Sequence, residues 1–153
     1  MIYQIPGTGE VELKTIILDL NGTLSVAGNI VNGAATRVQQ LKTLGYRIIL
    51  FTGNTRGDAD TIAADLGIEW KLAKNAAGKR ESVMGLDPET CVSIGNGRID
   101  FELMKAVKLR IVTLQAEGVH VQTLLNSDVV VPSINDALDL LIDSQSLIAT
   151  LRS

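Results

Sequence analysis

The sequence predicts an α/β fold built on a mainly parallel sheet, with helices on both faces. Three observations carry this. Short apolar runs recur along the chain: TIILDL (15–20), RIILF (47–51), IEWKL (68–72), TCVSI (90–94), LRIVTL (109–114) and DVVV (128–131). Runs of that length suit strands covered on both faces. Between them lie segments whose apolar residues recur at helical spacing. Strand–helix alternation of this kind gives parallel strands joined by right-handed crossovers.

The elements follow in order. Residues 2–5 and 11–13 flank Pro6-Gly7-Thr8-Gly9, which predicts an N-terminal β-hairpin. The first helix is expected over 34–44, with Ala34, Val38, Leu41 and Leu44 on one face, Asn32 as its cap and Gly45 at its end. The second runs over 55–66 and closes at Gly67. A shorter helix over 79–85 precedes a turn at Asp87-Pro88. Further helices are expected over 100–106, 119–125 and 134–142, and the tail 147–152 reads as one more helical turn. One domain accounts for the 153 residues, since a domain takes roughly 150. It divides into a hairpin (1–14), a core (15–142) and a tail (143–153).

Composition narrows the function classes. A hydrophobic fraction of 46% against 20% charged residues is that of a globular chain. The net charge of -3 and the absence of a basic run argue against nucleic-acid or anionic-membrane partners. No apolar run approaches the roughly 18 residues of a membrane helix. The N-terminal residues have no signal-peptide pattern, and a single cysteine, Cys91, allows no internal disulfide, so a cytoplasmic protein is expected. With one histidine, His120, a thiolate–imidazole zinc site is also not expected.

In parallel sheets ligands bind at the carboxyl ends of the strands. Asp19-Leu20-Asn21-Gly22-Thr23 follows the first core strand, Thr52-Gly53-Asn54 the second, and Gly95-Asn96-Gly97-Arg98-Ile99-Asp100 the fourth. An Asp ending an apolar strand is costly to desolvate without partners. It can serve as a nucleophile toward phosphorus, forming an aspartyl phosphate. A divalent cation shared with Asp100 would relieve its repulsion of a phosphate. The Thr52 hydroxyl and the amides near Gly22 and Gly53 can hold phosphate oxygens. Lys79 is best placed to neutralise remaining charge, with Lys74 as the alternative.

These residues carry a resemblance. LDLNGTL resembles the first motif of the haloacid dehalogenase superfamily, Asp-x-Asp-Gly-Thr. FTGN (51–54) resembles its second motif, in the form found in P-type cation ATPases. IGNGRIDFELM (94–104) resembles the Gly-Asp-Gly-x-x-Asp motif, and Lys79 falls where the motif-three lysine stands. The match spans 15 to about 131. The chain resembles the small, mostly archaeal group of soluble P-type ATPase-like phosphatases. The resemblance implies a Rossmann-like three-layer fold and a magnesium-dependent phosphohydrolase. Asp19, Asn21, Thr52 and Lys79 would be catalytic. Gly22, Thr23, Gly53, Asn54 and Arg98 would bind substrate, and Asp19, Asn21, Asn96 and Asp100 would hold Mg2+. Leu24 and Thr52 are 28 positions apart and Thr52 and Lys79 are 27, too few for a separate cap domain. An uncapped site accepts a bulky phosphorylated substrate or is closed by a neighbouring subunit of a homo-oligomer.

Two departures from the family pattern bear on rate. Asn21 replaces the second Asp of motif one, the usual general acid and base, so a slow phosphatase or one that accumulates phosphoenzyme is expected. Asn96 replaces a carboxylate metal ligand, which implies weaker magnesium binding. Two alternatives stand beside this reading. One is an oligomeric sugar-acid phosphatase. The other is a degenerate module that binds phosphate, a nucleotide or a protein without turnover. A receiver-type phosphoacceptor domain is disfavoured because the third core strand ends without an Asp. Each residue also has a structural role open to it. Asp19 is a strand-end cap, Asn21-Gly22 a turn, Thr52 a turn residue and Asp100 a helix start. Lys79 and Arg98 can be solvated, Cys91 inert core, His120 structural and Trp70 a packing or subunit contact.

Overall fold

The computed structural model describes residues 1–153. β1 (Ile2–Ile5) and β2 (Gly9–Glu12) form an antiparallel hairpin. The core begins with β3 (Thr15–Asp19), followed by a small antiparallel flap, β4 (Ser25–Val26) and β5 (Asn29–Ile30). Then come α1 (Ala34–Thr43), β6 (Arg47–Thr52), α2 (Ala59–Leu66), β7 (Glu69–Leu72) and α3 (Ala76–Met84). β8 (Cys91–Gly95), α4 (Phe101–Ala106), β9 (Leu109–Thr113), α5 (Val121–Leu125) and β10 (Val129–Val131) follow. The chain closes with α6 (Ile134–Ile142) and α7 (Ser144–Leu151).

The six core strands form one sheet of order β10-β9-β8-β3-β6-β7, and every neighbouring pair is parallel. From β3 the chain winds outward through β6 to β7. It then returns to β8 on the other side of β3. The direction of winding therefore reverses beside β3, and the crevice at such a switch point opens at the strands' carboxyl ends.

Alternation along β3 explains the two cores. Ile16 and Leu18 face α1, α6 and the hairpin in the larger cluster. Ile17 points the other way, joining Ile49, Phe51, Val83, Leu103 and Val107 beneath α3 and α4. Arg37 donates to both carboxylate oxygens of Asp139, at 2.7 and 3.1 Å, and ties α1 to α6. The hairpin is anchored by Tyr3, whose buried hydroxyl hydrogen-bonds that of Tyr46. Cys91 is buried, and burial pushes its thiol up to about 11, as suits inert core. Trp70 is half-buried against the core and donates its indole N–H to Asp60 at 2.6 Å. No helix is long and apolar enough to cross a membrane.

Several boundaries differ from the sequence expectation, each for a local reason. Asn32 does not cap α1. Gly33 takes that position without a side-chain bond, and the Asn32 carbonyl instead accepts from Asn135. α2 begins at Ala59, not 55, because Asn54 Oδ1 accepts the Ala59 N–H and holds 54–57 as a turn. α3 begins at Ala76, not 79, because Asn75 Oδ1 accepts the Gly78 N–H at 2.8 Å and caps the helix early. His120 lies outside α5 as its cap, with Nδ1 accepting the Thr123 N–H. The tail is a full helix, α7, capped by Asp143 and seated through Leu147, which is wholly buried.

Candidate active site

Asp19 ends β3 at the switch point, and its carboxylate is met by Lys79 from α3. The Lys79 Nζ donates to Asp19 Oδ1 at 2.8 Å and to Asp100 Oδ1 at 2.6 Å. Lys79 is 1% exposed, among the largest wholly buried side chains. Burial by itself lowers a lysine pKa, but the two carboxylates outweigh it and hold Lys79 above its ordinary value. Burial pushes Asp19 up from 3.8 to about 6, and Asp100 adds to the rise. Lys79 and the Thr23 hydroxyl pull the other way. One buried cation therefore holds two carboxylates together, and removing it would leave both uncompensated.

Asp100 is fixed from the other side. Its Oδ2 accepts the Asn96 N–H at 3.1 Å and the Gly97 N–H at 3.0 Å. This closeness requires glycine at 95, since a Cβ there would lie 2.5 Å from Asp100 Oδ2. Thr23 bridges the remaining groups, its hydroxyl lying 3.1 Å from Asp19 Oδ2 and 3.3 Å from Asn96 Oδ1. The Thr23 carbonyl accepts from the buried Gln115 Nε2 at 2.9 Å. Thr52 is buried at the end of β6, and its hydroxyl accepts the Asn54 N–H at 3.0 Å.

A cavity of about 340 Å³ opens over this cluster. Asp19, Asn21, Thr52, Gly53, Lys79 and Asn96 line it. Gly22, Thr23 and Asp100 are buried and outside the lining, and half-buried Asn54 is also outside it, its Oδ1 accepting the Ala59 N–H. Arg98, expected to contact substrate, does not reach it. Its side chain is exposed on the turn before α4, and Ile99 faces the cavity instead. Between the two lysines the geometry is plain: Lys79 makes the ion pairs, and Lys74 stands exposed at the rim. Sequence reasoning missed Thr55, Glu117 and Gly118 in the lining, and Gln115 behind it. The last three belong to the loop after β9, another strand end of the same sheet.

No third Asp, Glu, His or Cys joins Asp19 and Asp100 in a metal-binding group. The available donors are nonetheless all oxygens: two carboxylates, the Asn96 side-chain carbonyl and the Asn21 backbone carbonyl. Asp19 Oδ2 and Asn96 Oδ1 already converge on one hydroxyl. This set fits a hard divalent cation of the magnesium type, with fewer formal charges than three carboxylates would give.

A solved 3-deoxy-D-manno-octulosonate 8-phosphate phosphatase from Moraxella catarrhalis superposes with a TM-score of 0.72. The match covers 92% of this chain and 94% of that one at 19% identity. The chain has the haloacid dehalogenase fold. A soluble P-type ATPase-like phosphatase of Methanocaldococcus jannaschii is 25% identical over 133 residues, which is 84% of this chain and 49% of that one. An uncharacterized protein of the same organism is 48% identical over 61 residues, 40% of this chain and 66% of its own length. The chain thus spans less than two thirds of either relative. No protein-family model matches it.

Proposed function

We propose that the protein is a phosphohydrolase that works through an aspartyl phosphate on Asp19. The observation that carries this is the buried Lys79, which holds Asp19 and Asp100 together at the carboxyl end of a parallel sheet, under an open polar cavity. A structural ion pair needs no such opening. The similarity to a soluble P-type ATPase-like phosphatase supports the same reading. So does the fold shared with a phosphatase solved in complex with magnesium, phosphate and its sugar acid.

Asp19 is the nucleophile. Lys79 orients its carboxylate and counters the charge of the incoming phosphoryl group. The Thr52 hydroxyl and the backbone at Gly53 sit at the next strand end, where they hold phosphoryl oxygens. Asp19, the Asn21 carbonyl, Asn96 and Asp100 are the groups that would hold Mg2+, which when bound offsets charge between phosphate and carboxylate. Asn21 can neither give nor take a proton in this chemistry, a loss typically worth about 10²–10⁴-fold in rate where no other group supplies the transfer. The cavity has a single apolar lining residue, Ile99, and the connections between the core strands hold no inserted domain, only the β4–β5 flap. This suits a phosphorylated small molecule, an acyl phosphate or a nucleotide.

The test is phosphate release from p-nitrophenyl phosphate, acetyl phosphate and ATP, with magnesium or with EDTA, by wild type and Asp19→Asn. Magnesium-dependent release that disappears in Asp19→Asn supports the proposal. Tight phosphate or nucleotide binding without release would favour a binding module, the reading that Asn21 and Asn96 together motivate.

A further inference from the structure

Glu117 is the one carboxylate besides Asp19 that lines the cavity. It lies on the loop 114–120 between β9 and α5, and that loop is pinned on both sides of it. Before it, Gln115 is buried, donating to the Thr23 carbonyl at 2.9 Å and accepting the Ile134 N–H at 2.8 Å. After it, the Gly118 carbonyl accepts from Asn96 Nδ2 at 3.0 Å. Ala116 between them has a φ of 39°, a left-handed conformation that costs a non-glycine residue about 1–2 kcal/mol. The result is a carboxylate set against Gly22, the residue after Asn21. A Cβ on Gly22 would lie 2.2 Å from Glu117 Oε2. Glycine at 22 thus serves both its φ of 80° and the approach of Glu117.

We infer that Glu117 is the catalytic acid and base of the reaction, supplying from a different strand end the proton transfer that Asn21 cannot. The inference rests on the reading of Asp19 as nucleophile. As the Asp19 oxygen bonds to phosphorus, the bond from phosphorus to the leaving oxygen breaks, and the Glu117 carboxyl proton passes to that oxygen. In the second step water bonds to phosphorus and gives a proton to the Glu117 carboxylate. The bond from phosphorus to Asp19 breaks, inorganic phosphate leaves, and both residues return to their starting forms. The other charged groups that line the cavity are Asp19 from β3, Lys79 from α3 and Lys74 from the segment before it, and Lys79 also meets Asp100. Lys79 is committed to Asp19 and Asp100.

The test compares wild type and Glu117→Gln on two substrates, p-nitrophenyl phosphate and a simple alkyl phosphate. A good leaving group needs no proton; an alkoxide does. The expected result is that Glu117→Gln slows the first step, read as the pre-steady-state rate of leaving-group release, by about 10²-fold or more on the alkyl phosphate and little on p-nitrophenyl phosphate, while steady-state turnover falls on both because the second step needs the same base. Asn21→Asp added to Glu117→Gln should restore alkyl phosphate turnover. Equal losses of first-step rate on both substrates, no loss of turnover on either, or a wild type that spares the alkyl phosphate would overturn the inference about Glu117 alone. A wild type that releases no phosphate from any substrate, and is indifferent to Asp19→Asn, overturns the nucleophile reading and this inference with it. Glu117 is exposed, so thermal melts of the variant should match wild type.

Discussion

The Lys79 ammonium lies 2.8 Å from the Asp19 carboxylate, with side-chain exposures of 1% and 11%. The two residues are 60 positions apart in the chain. Their meeting depends on the parallel sheet bringing the start of α3 across the end of β3.

Lys79→Met should remove the cation and leave Asp19 and Asp100 close together in a buried site. The expected cost is about 3–5 kcal/mol, as for breaking other buried pairs from one side. Urea denaturation at neutral pH reads this directly. Asp19→Asn should behave differently, because Lys79 keeps Asp100 at 2.6 Å. It should fold at least as well as wild type while losing phosphate release.

The raised pKa of Asp19 sets the sign of a pH effect. Its folded value of about 6 exceeds the ordinary 3.8, so between those values the folded state binds more protons than the unfolded one. Stability attributable to Asp19 therefore falls as pH rises through that window, and stays low above it. Melting temperatures in EDTA should show this fall in wild type, with Asp19→Asn flattening it. Magnesium should recover stability near neutral pH if it binds the ionised carboxylate.

Asn21→Asp should raise turnover toward that of a site with a carboxyl at this position. The gain has an upper range of about 10²–10⁴-fold, and is smaller to the extent that Glu117 already acts. Steady-state rates on the alkyl phosphate measure it. An unchanged rate would remove Asn21 as the cause of slow turnover.

Leu147 is the one wholly buried residue of α7 and seats that helix beside α6 and the hairpin. Leu147→Ala should cost about 2–5 kcal/mol, as large-to-small core changes do. Phosphate release per folded molecule should be unaffected, since α7 contributes nothing to the cavity lining.

What the sequence made legible was the sheet. Its six strands are apolar runs, and their carboxyl ends marked Asp19, Thr52 and Asn96 before any coordinates. What it hid followed from long-range contacts and from caps. Lys79 could not be separated from Lys74 because the phase of α3 is set by Asn75, whose capping bond starts the helix three residues earlier than its apolar pattern suggests. Arg98 shared a motif with Asn96 and Asp100, yet the turn there carries its side chain outward. Gln115 and Glu117 lie in a loop without periodicity, and Gln115 meets Thr23 across 92 positions. Only their place just past the end of β9 signalled them. α7 is longer than its apolar pattern suggests because its single wholly buried residue, Leu147, gives a weak apolar stripe.

The most direct measurement is acid-quench trapping of the protein with acetyl phosphate and magnesium, followed by mass spectrometry of the peptide carrying residue 19. The account predicts a phosphoryl group on Asp19, present with magnesium, absent with EDTA and absent in Asp19→Asn. Phosphate release that proceeds in Asp19→Asn at the wild-type rate, with no phosphoryl group on that peptide, would contradict it.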